Sequence, residues 1–443
     1  MMMSRLVLVS FAVLSLGGSA LAQTPGSPEP PAPAPPPPPP PPGEAPPPPL
    51  PAEPPLPPVE PVLPMAPLAP SSPLPPAARP AHPAAERSAE PAAEIGSGRR
   101  STIGGYGEAH LSATGKNDAT TELRRFVLLA GHRFNHRVRL YTGLQLERGS
   151  TVEMEHAYVE IDVVCQTIGI RAGLLLLPLG IINARHEPVT FNGVERPLLD
   201  QIIIPSTWRE IGAGVFGQPL PGLHYQAYLM GGLDGSRFSA GETIRGGRGN
   251  GRPIQSDLGG VARINYDGVA GLDVGGSVYH GNASANIEAL RDVAVTVAEV
   301  DARFAYKGLE LRAQYAHVLI NRANNVTTLL RTADPAAPAV GSQARGAYVE
   351  AGYDVFKAAF CPCLLDQQLV VFGRYEDVNT RADLASAAAA APGMPTPDSQ
   401  KSITAGLTYR PHVQVALKAD VRVPLNDEAG TDNRYALGVA FMF

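Results

Sequence analysis

Beyond its N-terminal stretch the chain has no apolar run long enough to cross a membrane as a helix. The best candidate, Leu174–Ile182, is interrupted by Pro178 and Gly180. This excludes a helical membrane protein. It leaves a soluble chain or a membrane β-barrel, because lipid-facing and lumen-facing residues alternate in barrel strands and hide from hydropathy. Cysteine is scarce: Cys165, Cys361 and Cys363 are an odd number and do not make a disulfide framework. Cys361-Pro362-Cys363 could close a small disulfide or hold a metal ion. No His/Cys pair stands nearby at ligand spacing, so two cysteines in a turn are expected, and no metal or cofactor. Charge of one sign is also lacking. A net charge of -5 argues against a nucleic-acid partner, which would want a basic face. Enzyme motifs are missing too. His186-Glu187 lacks the second histidine of a zincin. No G-x-S-x-G elbow or phosphate loop occurs.

What is present comes in three textures. Residues 1–22 carry an early basic residue, Arg5, an apolar core from Leu6 to Leu16 and an Ala-x-Ala close ending at Ala22. These are the parts of a cleavable signal peptide, with Gln23 as the expected mature start. Residues 23–100 hold 32 of the 47 prolines, including the run Pro35–Pro42. Proline removes backbone donors and fixes φ, so this stretch is expected to be a disordered or PPII-like periplasmic spacer. It could also reach peptidoglycan.

From Ser101 onward short alternating runs take over. In 157–163, Ala157, Val159, Ile161 and Val163 share one face, and Tyr158, Glu160 and Asp162 the other. In 413–423, Val413, Val415, Leu417, Ala419, Val421 and Val423 oppose Gln414, Lys418, Asp420 and Arg422. Such period-two patterns predict sixteen strands, beginning at 102–114 and ending at 433–443, with those two paired. Connections after even-numbered strands are mostly tight; those after odd-numbered strands include the long segments 175–207, 234–253, 282–292, 322–344 and 379–400. Aromatics recur at the ends of even strands: Phe134, Phe216, Tyr266, Tyr306, Phe356, Tyr409 and Phe443. Short turns on one side, long loops on the other and an aromatic girdle describe an outer-membrane barrel. Phe443, closing the alternating stretch Tyr435–Phe443, is expected to serve as a signal for the barrel assembly machinery.

The segment 175–207 is too apolar to hang in water and is expected to fold into the lumen as a constriction. The stretch GLLLLPLGIINARHEPVTFNGVERP, followed by IIPSTWREIGAGVFG, resembles the phosphate-selective porin O and P family. The resemblance covers about 101–443 and is strongest at 172–217. It implies a trimer of sixteen-stranded barrels with an inward-folded third loop. The arginine ladder and lysine cluster of the phosphate porins have no clear match here.

The residues expected at the constriction are Arg185, His186, Glu187, Glu195, Arg196, Asp200 and Arg209. Arg185 and His186 are expected to face solute, while Glu195 and Arg196 read better as ion pairs pinning the loop. Expected lumen residues are Arg139, Arg171, Arg263, Arg303, Arg312, Arg422 and Arg434. Interleaved with them are Glu147, Glu160, Asp162, Asp257, Asp273, Glu299, Asp301, Glu310 and Asp420. A lining of both signs suits a general pore better than a strict filter, which needs rings of one sign. The sequence thus predicts an all-β transmembrane antiparallel barrel of about 16 strands, not an enzyme. It would pass small hydrophilic solutes or ions through the outer membrane. The alternatives are a wall-linked tether and a barrel enzyme, whose catalytic groups could meet only in space.

Overall fold

A computed structural model describes residues 100–443 apart from 116, 253–256, 359–365, 384–398 and 427–431. The chain divides into units 1–75 and 76–443. The signal segment, the proline-rich stretch up to residue 99, and Cys361 and Cys363 lie outside the described residues.

The alternating runs form one antiparallel sheet that closes on itself. Its strands are β1 (Ser101–Thr114), β2 (Asn117–Arg133), β3 (Val138–Glu147), β4 (Thr151–Val164) and β5 (Ile168–Leu176). After the long third connection come β6 (Arg209–Leu220), β7 (Leu223–Gly231), β8 (Leu258–Val269), β9 (Leu272–Asn282) and β10 (Ala294–Tyr306). The barrel is completed by β11 (Leu309–Ile320), β12 (Gln343–Asp354), β13 (Gln368–Asn379), β14 (Ser399–His412), β15 (Val415–Pro424) and β16 (Arg434–Met442). Each strand pairs with its sequence neighbours, and β1 pairs with β16 from Tyr106↔Met442 to Thr114↔Arg434. No backbone edge is left open, which is what a bilayer demands of a sheet.

The sheet is inverted relative to a soluble barrel. Ile161, Val163, Ile170, Leu229, Val300, Leu407 and Leu437 stand exposed on the outer face. Glu108, Arg125, Glu160, Glu299, Glu350, Arg374 and Glu376 are buried on the inner face. An apolar outside around a polar inside is stable only where lipid replaces water.

Strand limits agree with the sequence reading to within a few residues, with one informative difference. The alternation places the second strand at 121–134, whereas β2 starts at Asn117. Register shifts between Glu108 and Ala109 and between Ser112 and Thr114 let the pair run to its tip. At the other end the turns are built locally. The Asn135 side chain accepts from the Arg137 and Val138 amides at 2.8 and 2.9 Å, folding the chain between β2 and β3.

The aromatic girdle needs one correction. Phe134, Tyr266, Tyr306 and Phe443 are exposed at the short-turn end. Phe216 instead points inward. It shares the phase of Gly212 and Gly214, lies over Gly169 in its register pair, and has the Arg171 guanidinium 4.2 Å from its ring. Phe443 sits on the closing seam, exchanging backbone hydrogen bonds with Gly105 at 2.9 and 3.0 Å. Its ring stacks on Phe126 at 6.3 Å. As a hypothesis, Phe443→Ala should lower the yield of closed, heat-modifiable barrel in lipid vesicles; an unchanged yield would remove this ring from assembly.

Candidate functional site

The third long connection, 177–208, does not pack outside the barrel. It enters with the short helix α1 (Gly180–Ala184) and returns through a π-helical turn, Leu199–Ile203. Two glycines permit this path. Gly180 has φ +73, and a Cβ there would meet Gln314 of β11 at 2.1 Å. Gly193 has φ +79 and lies against Phe372 of β13 and Asp420 of β15. The first turn is stapled by Asn183, whose Nδ2 donates to the carbonyls of Leu177 and Trp208. Its Oδ1 accepts from the Trp208 amide, so entry and exit of the loop are tied together.

Apolar residues explain why the loop leaves water. Leu177, Leu179, Leu199, Ile203, Ile204 and Trp208 are fully buried. They form one cluster with Phe238 and Ile244 of the 232–257 loop, Leu290 of the 283–293 loop, and Val326 of α2 (Ala323–Ala333). Burying each such side chain is worth roughly 1.5–3 kcal/mol. The long loops therefore converge on the third one, which becomes their core.

Polar anchors then fix the loop around the lumen. Gly180 donates its amide to Glu299 of β10 at 3.3 Å. His186 Nε2 lies 3.2 Å from Glu155 of β4. Asn192 Nδ2 donates to Glu350 of β12 at 3.1 Å and to Glu310 of β11 at 3.3 Å. The Val194 amide donates to Asp420 of β15 at 2.5 Å, and the Leu198 amide to Glu376 of β13 at 2.6 Å. Arg434 of β16 donates to Glu195 at 2.8 Å. Contacts from β4 round to β16 mean that the segment crosses the lumen rather than hugging one wall.

The seven residues expected at the constriction fall into different roles. Arg185 lies 3.6 Å from Asp273 and lines two cavities, of about 140 and 480 Å³. His186 lines the smaller cavity but is 2% exposed, held between Glu155 and the Tyr106 ring. Glu187 lines the smaller cavity. Glu195 accepts from Arg434 of the β16 wall. Arg196 pins the loop to itself, donating to Ser206 Oγ at 2.8 Å and to the His186 carbonyl at 3.2 Å, not to an acid. Arg209 is buried at the start of β6 and donates to Glu153 at 2.5 Å. Asp200 is fully buried in the π-helical turn, and neither carboxylate oxygen has a hydrogen-bond partner among the described residues. Burial pushes its pKa up to about 8 against the pull of Arg196 and Arg374.

The expected lumen arginines meet acids one by one. Arg139 joins Glu160 and Asp162 at 2.6 and 2.8 Å, and Arg171 joins Glu160 at 2.7 Å. Arg263 joins Asp301 at 2.7 Å and Glu299 at 3.3 Å; Arg303 pairs with Asp273. Arg312 lies 3.8 Å from Glu310 and Glu350, and Arg422 3.7 Å from Glu376. Glu147 accepts from Gln145 on the same inner face. Asp257 corrects the reading. It precedes β8, accepts from Ser284 Oγ and the Ala285 amide, and latches two long loops instead of lining the lumen.

Sequence reasoning missed several anchors. Arg374 and Glu350 pair at 2.6 Å, and Arg374 also donates to the Asn192 carbonyl at 2.9 Å. Arg410 donates to Val189, and Lys418 Nζ lies 4.0 Å over the Phe191 ring. Lys418 stands on the polar face that the alternation of 413–423 already marked, and Arg374, Glu350 and Arg410 sit at the same inner-face phase, so the period-two pattern could have found them. Asn192 has no such signal, because only the folded loop brings it to Glu350.

No protein-family model matches the chain. An uncharacterized protein of Aquifex aeolicus (strain VF5) is 29% identical over 359 residues, spanning 77% of this chain and 80% of that protein. Among solved structures, OmpT of Vibrio cholerae with loop L8 deleted, an outer membrane protein, superposes with a TM-score of 0.50 at 10% identity. It covers 78% of this chain and all of the other. The anion-selective porin from Comamonas acidovorans gives 0.48 at 11% identity, over 77% and 99% of the two chains. With the Vibrio cholerae barrel the present chain shares its fold.

Proposed function

We propose that this chain is an outer-membrane porin through which small hydrophilic solutes or ions diffuse passively. The observation that supports this most directly is the third loop crossing a closed, charge-lined barrel and anchored on opposite walls. An aqueous lumen of this strand number is wide; a crossing segment sets its width. Loop residues Arg185 and Glu187, with Asp273 and Arg303 on the wall, are among the charged groups that line the cavities beside the loop. Their alternating sign favours a transverse field over a one-sign filter. In this reading the long loops face outward, the short turns and the proline-rich arm lie in the periplasm, and the chain is not an enzyme. A trimer is the finer part that the loop motif's resemblance implies; a phosphate preference would need the arginine ladder and lysine cluster, which have no clear match in this chain.

Planar-bilayer recording of the purified full chain tests the proposal. Stable open steps are expected, with a reversal potential under a salt gradient that gives the ion preference. Block by low phosphate would favour a phosphate-specific pore; no block would favour a general one. A folded barrel with no conductance would overturn the channel reading in favour of a wall-linked tether or a barrel enzyme.

A further inference from the structure

His110, Glu122 and Glu195 are remote in sequence but offer donor atoms that all lie within 4.8 Å of one another. His110 and Glu122 are register partners on β1 and β2. Glu195 arrives from the third loop. His110 is 7% exposed. Its Nε2 donates to Glu108 at 3.1 Å, and Glu108 is held in turn by Arg125 at 2.6 Å. A carboxylate can only accept, so the Nε2 proton is fixed and Nδ1 points the other way. Among the described residues that buried Nδ1 makes no hydrogen bond, and the atom it faces is Glu195 Oε1 at 3.6 Å. A lone pair aimed at a carboxylate oxygen is repulsive unless something positive stands between them. A proton or a metal ion would serve.

We propose that His110, Glu122 and Glu195 form a site for a divalent first-row transition ion, with Zn2+ as the natural probe. One imidazole nitrogen with two carboxylate oxygens suits such an ion better than Ca2+ or Mg2+, which take oxygen sets. A carboxylate behind the ligand histidine, here Glu108, is the outer-shell arrangement that orients imidazole at metal sites. Arg434 and Arg124 also reach Glu195 and Glu122, at 2.8 and 3.1 Å. They compete with the ion for charge but leave further lone pairs on each carboxylate. Bound metal would clamp the third loop to the β1–β2 wall. The inference does not depend on the channel reading, since a barrel without conductance could hold the ion equally well.

The test is calorimetric titration of Zn2+ into the chelator-treated full chain in detergent. Wild type should show one saturable site per chain. H110A and E195Q should each weaken it by at least about tenfold, since loss of an outer-shell partner alone costs that much. H224A, which removes the half-buried His224 beside Asp267 at the short-turn end, should leave it unchanged. Heat-modifiable mobility in electrophoresis checks that each variant folds. If neither variant folds, Co2+ bound to the unmodified chain should give visible d–d absorption that Zn2+ displaces. Absence of saturable binding, affinity unchanged in both folded variants, or no Co2+ spectrum would leave a proton as the bridging charge and overturn the site.

Discussion

Deleting residues 183–204 should raise single-channel conductance several-fold while leaving a closed barrel. The expectation, a hypothesis built on the channel reading, follows from where the loop is attached. Its contacts on Glu155, Glu350, Glu376, Asp420 and Arg434 are distributed around the lumen, so no other segment has to move for the path to widen. The strands keep their own ladder bonds throughout. Removing the loop also exposes Glu350 and Glu376 to water, and the lost apolar cluster will make the long loops less ordered. Electrophoretic mobility should report a folded barrel, and bilayer recording should report larger steps. Equal conductance with and without the segment would show that the narrowest point lies elsewhere.

The second large effect concerns Asp200. Its carboxyl is fully buried, lacks hydrogen-bond partners among the described residues, and has a pKa raised by desolvation to about 8. Arg196 and Arg374 pull the value down, while Glu376 and Asp301 push it up. In the unfolded chain an Asp titrates at about 4. Between those values the folded chain keeps a proton that the unfolded chain has lost. The folded state binds more protons, so stability falls as pH rises through this window. A difference of about four units corresponds to on the order of 5 kcal/mol above pH 8. D200N should remove this penalty. Thermal unfolding followed by circular dichroism should show the variant far more stable than wild type at pH 9, and equal to it near pH 4. Identical midpoints at both values would mean that Asp200 is solvated, and the burial argument would fail. The same ionisation should loosen the π-helical turn. Conductance of wild type should then rise above pH 8, and that of D200N should not.

How far sequence carried the reading differs between wall and loop. The wall was legible because a barrel strand has one rule. In Ala157–Val163 every second residue faces lipid, and local alternation reveals it without knowledge of any partner strand. The same rule placed Arg139, Arg171, Arg263 and Arg303 inside. The same rule decides Phe216: it stands near a strand end, but its phase with Gly212 and Gly214 turns it inward and away from the girdle. The loop was legible only in outline. Its leucines and isoleucines demanded burial, and their number predicted an inward fold. Which side chains face the path was not encoded locally. His186 and Arg185 are adjacent and both line the smaller cavity, yet one is held by Glu155 of β4 and the other lies near Asp273 of β9 and lines the larger cavity as well. Glu195 meets His110 and Arg434 only because the barrel closes β1 onto β16. The sequence by itself determined the strand count, the two faces of the wall and the inward loop, since each depends on periodicity or apolar content within a short stretch. The tertiary structure decided the anchors, the buried state of Asp200 and the His110–Glu122–Glu195 cluster. Those depend on contacts between residues brought together by closure, and no local pattern carries that information.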